Sequence, residues 1–190
     1  MQFIVHMKLE SDTIFGNGMN VPGGEDISVQ TDSWGVPYLK GSTFKGIFRE
    51  EFINYLAWER KSAEEAEEMV KVLLGDSRSD ILINPRKLIF SDLCLHPEVI
   101  QIIQKEELIP QEVTEMFTYL RTFTSLEGGV AREGSLRSAR CIKKGLHFYG
   151  KCTCHEEDAP VIKEALQMIK WVGSMRSRGF GKVRICGEEV

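Results

Sequence analysis

The chain has 190 residues, 42% apolar and 27% charged, with a formal net charge of −4. That length and composition suit a globular fold with a sizeable core, and no run approaches the ~18–20 apolar residues of a membrane helix. The acidic total argues against a polyanionic partner until its distribution along the chain is read.

Gln2 to Leu9 alternates apolar with polar residues and reads as a strand; its apolar run is too short and too quickly charged for a signal peptide. Ser11 to Gly41 is rich in glycine and aspartate, contains Pro22 and Pro37, and has no sustained period. A loop of that length is usually functional or disordered. A helix then starts after Gly41 with Ser42 or Thr43 as N-cap, and Phe44, Ile47, Phe48, Phe52, Tyr55 and Leu56 share one face. A second helix runs from about Ala63 to Leu74 and is stopped by Gly75.

KLIFSDLCL, Lys87 to Leu95, reads as a strand, and Pro97 to Tyr119 as helical pieces broken by Pro110. Arg121 to Arg140 is glycine-rich and basic without a core pattern. Leu146 to Cys154 is a further strand. Asp158 to Val172 is an amphipathic helix ended by Gly173, and after a glycine loop Lys182 to Cys186 closes as a strand. Without its long insertion the order is β-α-β-β-α-β, which predicts an α+β fold of modified ferredoxin-like (RRM-like) type. The whole of 1–190 reads as one domain with insertions at about 11–41 and 97–140. Helices would cover one face of an antiparallel sheet and leave the other open, as in sheets that bind RNA.

Charge is segregated along this order. Seven glutamates lie from Glu50 to Glu68, whereas Arg132 to Lys151 carries six cations against Glu133 alone, and no acid stands between Glu164 and Glu188. The second basic segment is GSMRSRGFGKVRI, Gly173 to Ile185. Glycine permits positive φ and close approach of a bulky partner, and guanidinium forks with bare N–H groups bind phosphate. A plain turn accounts for Gly173 but not for Gly179 and Gly181 beside Arg176 and Arg178. GVPYLKGSTFKG superficially resembles a phosphate loop, but its order is Lys40-Gly41-Ser42, and no GxGxxG opens a βαβ unit. Five cysteines, an odd number, fit reduced thiols in a cytoplasmic protein. Cys152-Thr-Cys154 before His155 raises a zinc site, but the spacing is shorter than structural zinc sites use, and buried strand residues explain it equally.

With these residues in view, the chain resembles the repeat-associated mysterious protein (RAMP) superfamily of CRISPR systems. The resemblance is carried by GSMRSRGFGKVRI, by GGEDISVQTDSWGVPYLKGSTFKGIFREEF (23–52), by LLGDSRSDILINPRKLIFSDLCL (73–95) and by TSLEGGVAREGSLRSARCIKKGLHFYG (124–150). The pattern is similar to that of the repeated backbone subunit of type III effector complexes. The resemblance implies a palm bearing fingers and a thumb, the thumb corresponding to about Thr124 to Arg140. It implies stacking with other copies of itself and other RAMP subunits along a CRISPR RNA, with complementary target RNA as second partner and no membrane. Ser42, Lys45 and Arg49 would face guide phosphates. Such a hydroxyl at a helix start, with cations one and two turns on, makes an anion site. Arg132, Arg137, Arg176, Arg178, Gly179, Gly181 and Lys182 complete the implied RNA-binding set.

In catalytic members a loop aspartate cuts target RNA, and Asp26 in GGED matches its position. It would act by holding a divalent metal such as Mg2+ or by accepting the proton of the attacking 2′-OH. Ile27-Ser28-Val29 stands where members commonly have a Pro-Val step, and Phe15-Gly16 where a histidine often precedes the first loop glycines. Asp12 and Asp32 are rival loop carboxylates, and any of the three also suits an Asx turn. Two alternatives accompany this reading: a catalytically inactive structural subunit, and a CRISPR-transcript processing endoribonuclease. The latter typically uses a loop histidine, and none of His6, His96, His147 and His155 lies in the long N-terminal loop.

Overall fold

Phe3, Val5, Met7 and Leu9 alternate along strand β1 (Gln2–Leu9) and are all buried, so the period of two in the sequence becomes one core-facing side of a sheet. The computed structural model describes residues 1–18, 25–75 and 88–189. After β1 come α1 (Gly41–Trp58), α2 (Ala63–Leu74), β2 (Ile89–Phe90), α3 (Pro97–Lys105) and α4 (Pro110–Phe117). Then follow β3 (Thr118–Phe123), β4 (Leu126–Glu127), β5 (Val130–Ala131), β6 (Arg137–Ile142), β7 (His147–Thr153), α5 (Ala159–Met168) and β8 (Val183–Glu189). The main sheet has the order β2-β7-β1-β8 and is antiparallel throughout, so the chain is a mixed α+β protein.

Helices α1 and α5 pack against this sheet and each other. Phe44, Phe48 and Phe52 recur every four residues on α1 and are fully buried, with Phe44 edge-on to Phe90 at 5.0 Å between ring centroids. Burying each such ring contributes roughly 1.5–3 kcal/mol. Helix α2 has the expected bounds. Ser62 and Glu65 form a capping box at its start, and Gly75, at φ 80°, ends it.

Four sequence expectations are corrected. The N-cap of α1 is Lys40, not Ser42 or Thr43, and it caps through no side chain; instead Asp92 Oδ1 accepts the Gly41 N–H at 2.8 Å. A Cβ on Gly41 would lie 2.3 Å from the Phe90 carbonyl, so this glycine serves packing. KLIFSDLCL pairs as a ladder only at Ile89–Phe90; Leu93 and Cys94 make isolated bridges to Leu39 and Tyr149, while Lys87 lies outside the described residues. Helix α5 stops at Met168, five residues before Gly173, because residues 170–172 pair instead with the start of β8. Val183 N–H donates to Lys170 O at 2.9 Å and Val172 N–H to Gly181 O at 2.8 Å. Ile169 and Val172 stay buried outside the helix.

The fourth correction concerns Arg121 to Arg140, to which the sequence pattern assigns no strand; the expected lack of a core pattern holds, Ala139 being the one buried residue among those described there. Thr118–Phe123 and Arg137–Ile142 pair as a hairpin, and β4 and β5 form its outer rungs around Gly128-Gly129, both at positive φ as a two-residue turn requires. The N-terminal loop is stitched to this hairpin by bridges Thr13–Ile142 and Ile27–Ala139.

Candidate nucleic-acid interface

The glycine loop is built by the segment that crosses it. Ser174 N–H donates to Ile14 O at 3.0 Å, Gly181 N–H to Asp12 O at 2.8 Å, and Lys182 N–H to Ser11 Oγ at 2.8 Å. Between these ties, Arg176–Arg178 forms a single 3-10 turn entered through Met175 and left through Gly179, both left-handed. Arg176 and Arg178 are exposed while Phe180 is buried against Ile14, Ala139 and Cys141. The hydrophobic anchor therefore points inward and both guanidinium groups outward.

The glycines have different reasons. At Gly181, φ is +81° and a Cβ would stand 1.9 Å from the Val172 carbonyl, so packing within the protein requires it, not an external partner. Gly179 has φ +85°, but a Cβ there would meet nothing within 4 Å, so the backbone is open to a close-lying ligand. Gly181→Ala is therefore expected to destabilise the fold by at least ~2–3 kcal/mol, and Gly179→Ala by about 1 kcal/mol, read from denaturant midpoints.

A cleft of about 420 Å³ lies where the glycine loop meets the start of α1. Arg176 and Ser174 line it from the glycine loop, Lys40, Thr43 and Ile47 from the start of α1, and Phe15 and Gly16 from the N-terminal loop. Glu50 also reaches it and sets an acidic limit at the α1 side. Lys40 and Arg176, more than 120 residues apart in sequence, thus line one concavity. Ser42 is exposed at the helix start and Lys45 is half-buried one turn on.

Arg49 departs from this arrangement. Its Nη2 donates to Gly75 O at 2.7 Å and Leu74 O at 3.4 Å, closing the C-terminal end of α2, where a cation also meets the negative helix pole. Lys182 Nζ stands 3.4 Å from Glu10 and Arg184 Nη2 2.9 Å, and the hydrogen bond from Lys182 leads in holding the Glu10 carboxyl below its usual range. Arg132 sits at the outer end of the hairpin, exposed, its N–H bonded to Ser125 O.

The loop carboxylates separate by role. Asp12 Oδ2 accepts Tyr119 Oη–H at 2.7 Å and its Oδ1 accepts Lys144 N–H at 2.9 Å, while Asp32 Oδ1 accepts the N–H groups of Trp34 and Val36, an Asx turn. Glu25 pairs with Arg140. Asp26 docks on the hairpin root: Oδ2 accepts Ser138 N–H at 2.7 Å, and Oδ1 lies 3.5 Å from Arg137 Nη1 with the side chain 36% exposed. The Ser138 N–H is the leading cause that holds the Asp26 carboxyl below its ordinary value, with Arg137 adding to it. The glycine pair before it lies outside the described residues.

One cluster escaped the sequence. Arg121 is stacked over Phe180 at 5.1 Å and over Phe123 at 5.6 Å, and Arg178 over Phe123 at 5.6 Å. Phe123 pairs with Arg137 across the hairpin. A continuous chain of contacts therefore links glycine loop, hairpin root and Asp26. The signals were present as the alternation TYLRTF and the turn LEGGVA.

The zinc alternative at Cys152 and Cys154 gains nothing from the fold. Both thiols are buried, and among the described residues no histidine or carboxylate joins them in a convergent set of three ligands.

The family model of the RAMP superfamily matches residues 6–184. Among solved structures, the chain is similar to a cryo-EM structure of the Type III-B Cmr-beta bound to cognate target RNA, with TM-score 0.71 and 12% identity, covering 98% of this chain and 97% of that one. The Type III-B Cmr-beta structure in the apo state gives the same values. At that identity the likeness is one of fold. No curated protein matches.

Proposed function

The chain belongs to the RAMP superfamily, and from that premise we propose that it is a CRISPR RNA-binding backbone subunit of a type III effector complex that also cleaves complementary target RNA through Asp26. The observation that carries the reading is the cleft where Arg176 and Ser174 of the glycine loop face Lys40 and Thr43 at the start of α1. Hydroxyl, ammonium and guanidinium groups around one groove suit a ribose-phosphate strand. The sheet order β2-β7-β1-β8 supports the ferredoxin-like reading, with 1–190 as one domain. The β3–β6 hairpin suits the thumb, its root lined by Arg121, Phe123 and Arg137, where a base can stack on the ring and phosphates meet the cations. The similarity to Cmr-beta supports other RAMP subunits, copies of this chain and target RNA as partners. No helix among the described residues is long and apolar enough to cross a membrane, and a cytoplasmic site fits the free cysteines.

In the proposed cleavage, a target 2′-oxygen bonds to the adjacent phosphorus, the bond to the 5′-oxygen breaks, and the 2′-OH proton leaves. The leaving oxygen gains a proton, so atoms balance without an external oxidant or reductant. Asp26 is poised as an anion, and a carboxyl held below its ordinary value is a weak base. Its all-oxygen donor suits a hard cation such as Mg2+, which takes one or two carboxylates with substrate phosphates and would supply neutralisation of phosphate charge. Asp26 Oδ1 is the oxygen that would contribute, with Arg137 its present neighbour.

The assembled complex purified from its native host should carry short RNA of repeat–spacer composition bound to this chain. Absence of RNA, or fragments with no shared repeat, would overturn the reading.

A further inference from the structure

The outer face of the main sheet carries a cluster that the RNA reading does not use. Register places His6 of β1 opposite Cys186 of β8 on one side and opposite Tyr149 of β7 on the other. Glu188 follows Cys186 by two residues, so strand alternation puts both on the same face. His6 Nδ1 lies 2.7 Å from Glu188 Oε1 and 3.9 Å from Cys186 Sγ, and Cys186 Sγ lies 3.6 Å from Glu188 Oε1. These three donor atoms converge within 4.8 Å of one another.

We propose that His6, Cys186 and Glu188 form a binding site for a zinc-class divalent ion that ties the last strand to the first. A tetrahedral zinc ion with standard bond lengths separates its sulfur and nitrogen ligands by about 3.6 Å, sulfur and oxygen by about 3.5 Å, and nitrogen and oxygen by about 3.3 Å. Two of the three observed separations already match to within a few tenths of an ångström. Only the His6–Glu188 edge must open, by roughly 0.6 Å, as an ion replaces the proton shared between them.

The surroundings of His6 suit a ligand. Its Nε2 is 2.7 Å from His147 Nδ1, so Nε2–H can donate there while Nδ1 offers its lone pair to the ion, the outer hydrogen bond that metal-bound imidazoles ordinarily make. The Tyr149 ring stacks on the imidazole at 4.8 Å and 7°, fixing its plane. Cys186 and Glu188 are accessible from solvent, which supplies an entry path and a water for the fourth position. On binding, the Cys186 S–H loses its proton to solvent as the sulfur–metal bond forms. Thiolate and carboxylate then balance the divalent charge, leaving a neutral site beside Lys8 and Arg184, the next pair along the same face. Thiolate and imidazole favour Zn2+ or Co2+ over Mg2+.

The test is titration of the purified full-length chain with Co2+, following the thiolate-to-cobalt charge-transfer band. Saturation at one equivalent is expected, with Zn2+ displacing Co2+ and Mg2+ failing to. The band should vanish in Cys186→Ser and persist in Cys94→Ser, a half-buried cysteine in the same cross-strand row but separated from His6 by Tyr149. His147→Gln should weaken binding about 10–100-fold while keeping the band. No band in the wild type, a band surviving in Cys186→Ser, or its loss in Cys94→Ser overturns the site. Should Cys186→Ser fail to fold by circular dichroism, Glu188→Gln decides, since that side chain is 50% exposed. A fall in Co2+ affinity of tenfold or more supports the site, and unchanged affinity overturns it.

Discussion

Replacing Arg176 and Arg178 together by alanine is expected to weaken binding of single-stranded guide RNA by roughly 10–100-fold near physiological salt. The magnitude follows from two charge-assisted contacts of ~1.5–3 kcal/mol each, reduced by screening at exposed positions. The more telling quantity is the salt dependence. Each neutralised phosphate contributes ~0.7 to the slope of log affinity against log salt, so the double variant should flatten it by about 1.4. Folding should be little affected, because both side chains are exposed and the loop is held through backbone bonds and Phe180. Arg49→Ala is the informative control. Its guanidinium closes the α2 C terminus, so it should lower stability and leave the slope unchanged. An unchanged slope in the double variant would remove the glycine loop from the RNA path.

Local pattern carried much of the fold. The strand at Gln2–Leu9, helix α2 with its stop at Gly75, and the apolar face of α1 follow from period and end signals that act over a few residues. The failures lie where distant segments decide. Nothing near Gly41 announces that Asp92 caps its helix, and nothing near Met168 announces that residues 170–172 will pair with β8. Local pattern alone did not assign the β3 and β6 strands, because they are half-exposed and lack the apolar run that marks a core strand, although the family resemblance implied a thumb there.

The candidate site was legible in composition and not in geometry. Arg176 and Arg178 stand out by charge and glycine context, and Asp26 through the family resemblance alone, but only the fold joins them through Phe123 and Arg137. Arg49 and Gly181 show the opposite case. Residue type and spacing suited phosphate, while the structure gives each an internal task. A cation or glycine in a basic segment is ambiguous until its neighbours are known, because helix ends and carbonyls make the same demands as phosphates.

Asp26→Asn is expected to slow target-RNA cleavage by the assembled, guide-loaded complex at least ~100-fold while leaving guide retention intact. The amide still offers an acceptor to Ser138 N–H, so the loop should stay docked on β6 while the charge is lost. Asp26→Ala removes both, and comparing the two separates docking from chemistry. The pH profile gives a second readout. The Asp26 carboxyl lies below its ordinary 3.8 in the folded chain, chiefly through the Ser138 N–H. Its contribution to stability is therefore present above that ordinary value and lost only as pH falls through the lower folded one. Across about pH 5–8 the carboxylate stays ionised, so cleavage should show no limb from its titration. A descending acid limb in that window, abolished in Asp26→Asn, would instead mean a carboxyl acting as proton acceptor at a raised pKa. Cleavage at the wild-type rate by Asp26→Asn would leave Asp26 as an anchor for the hairpin root and the subunit as a structural one.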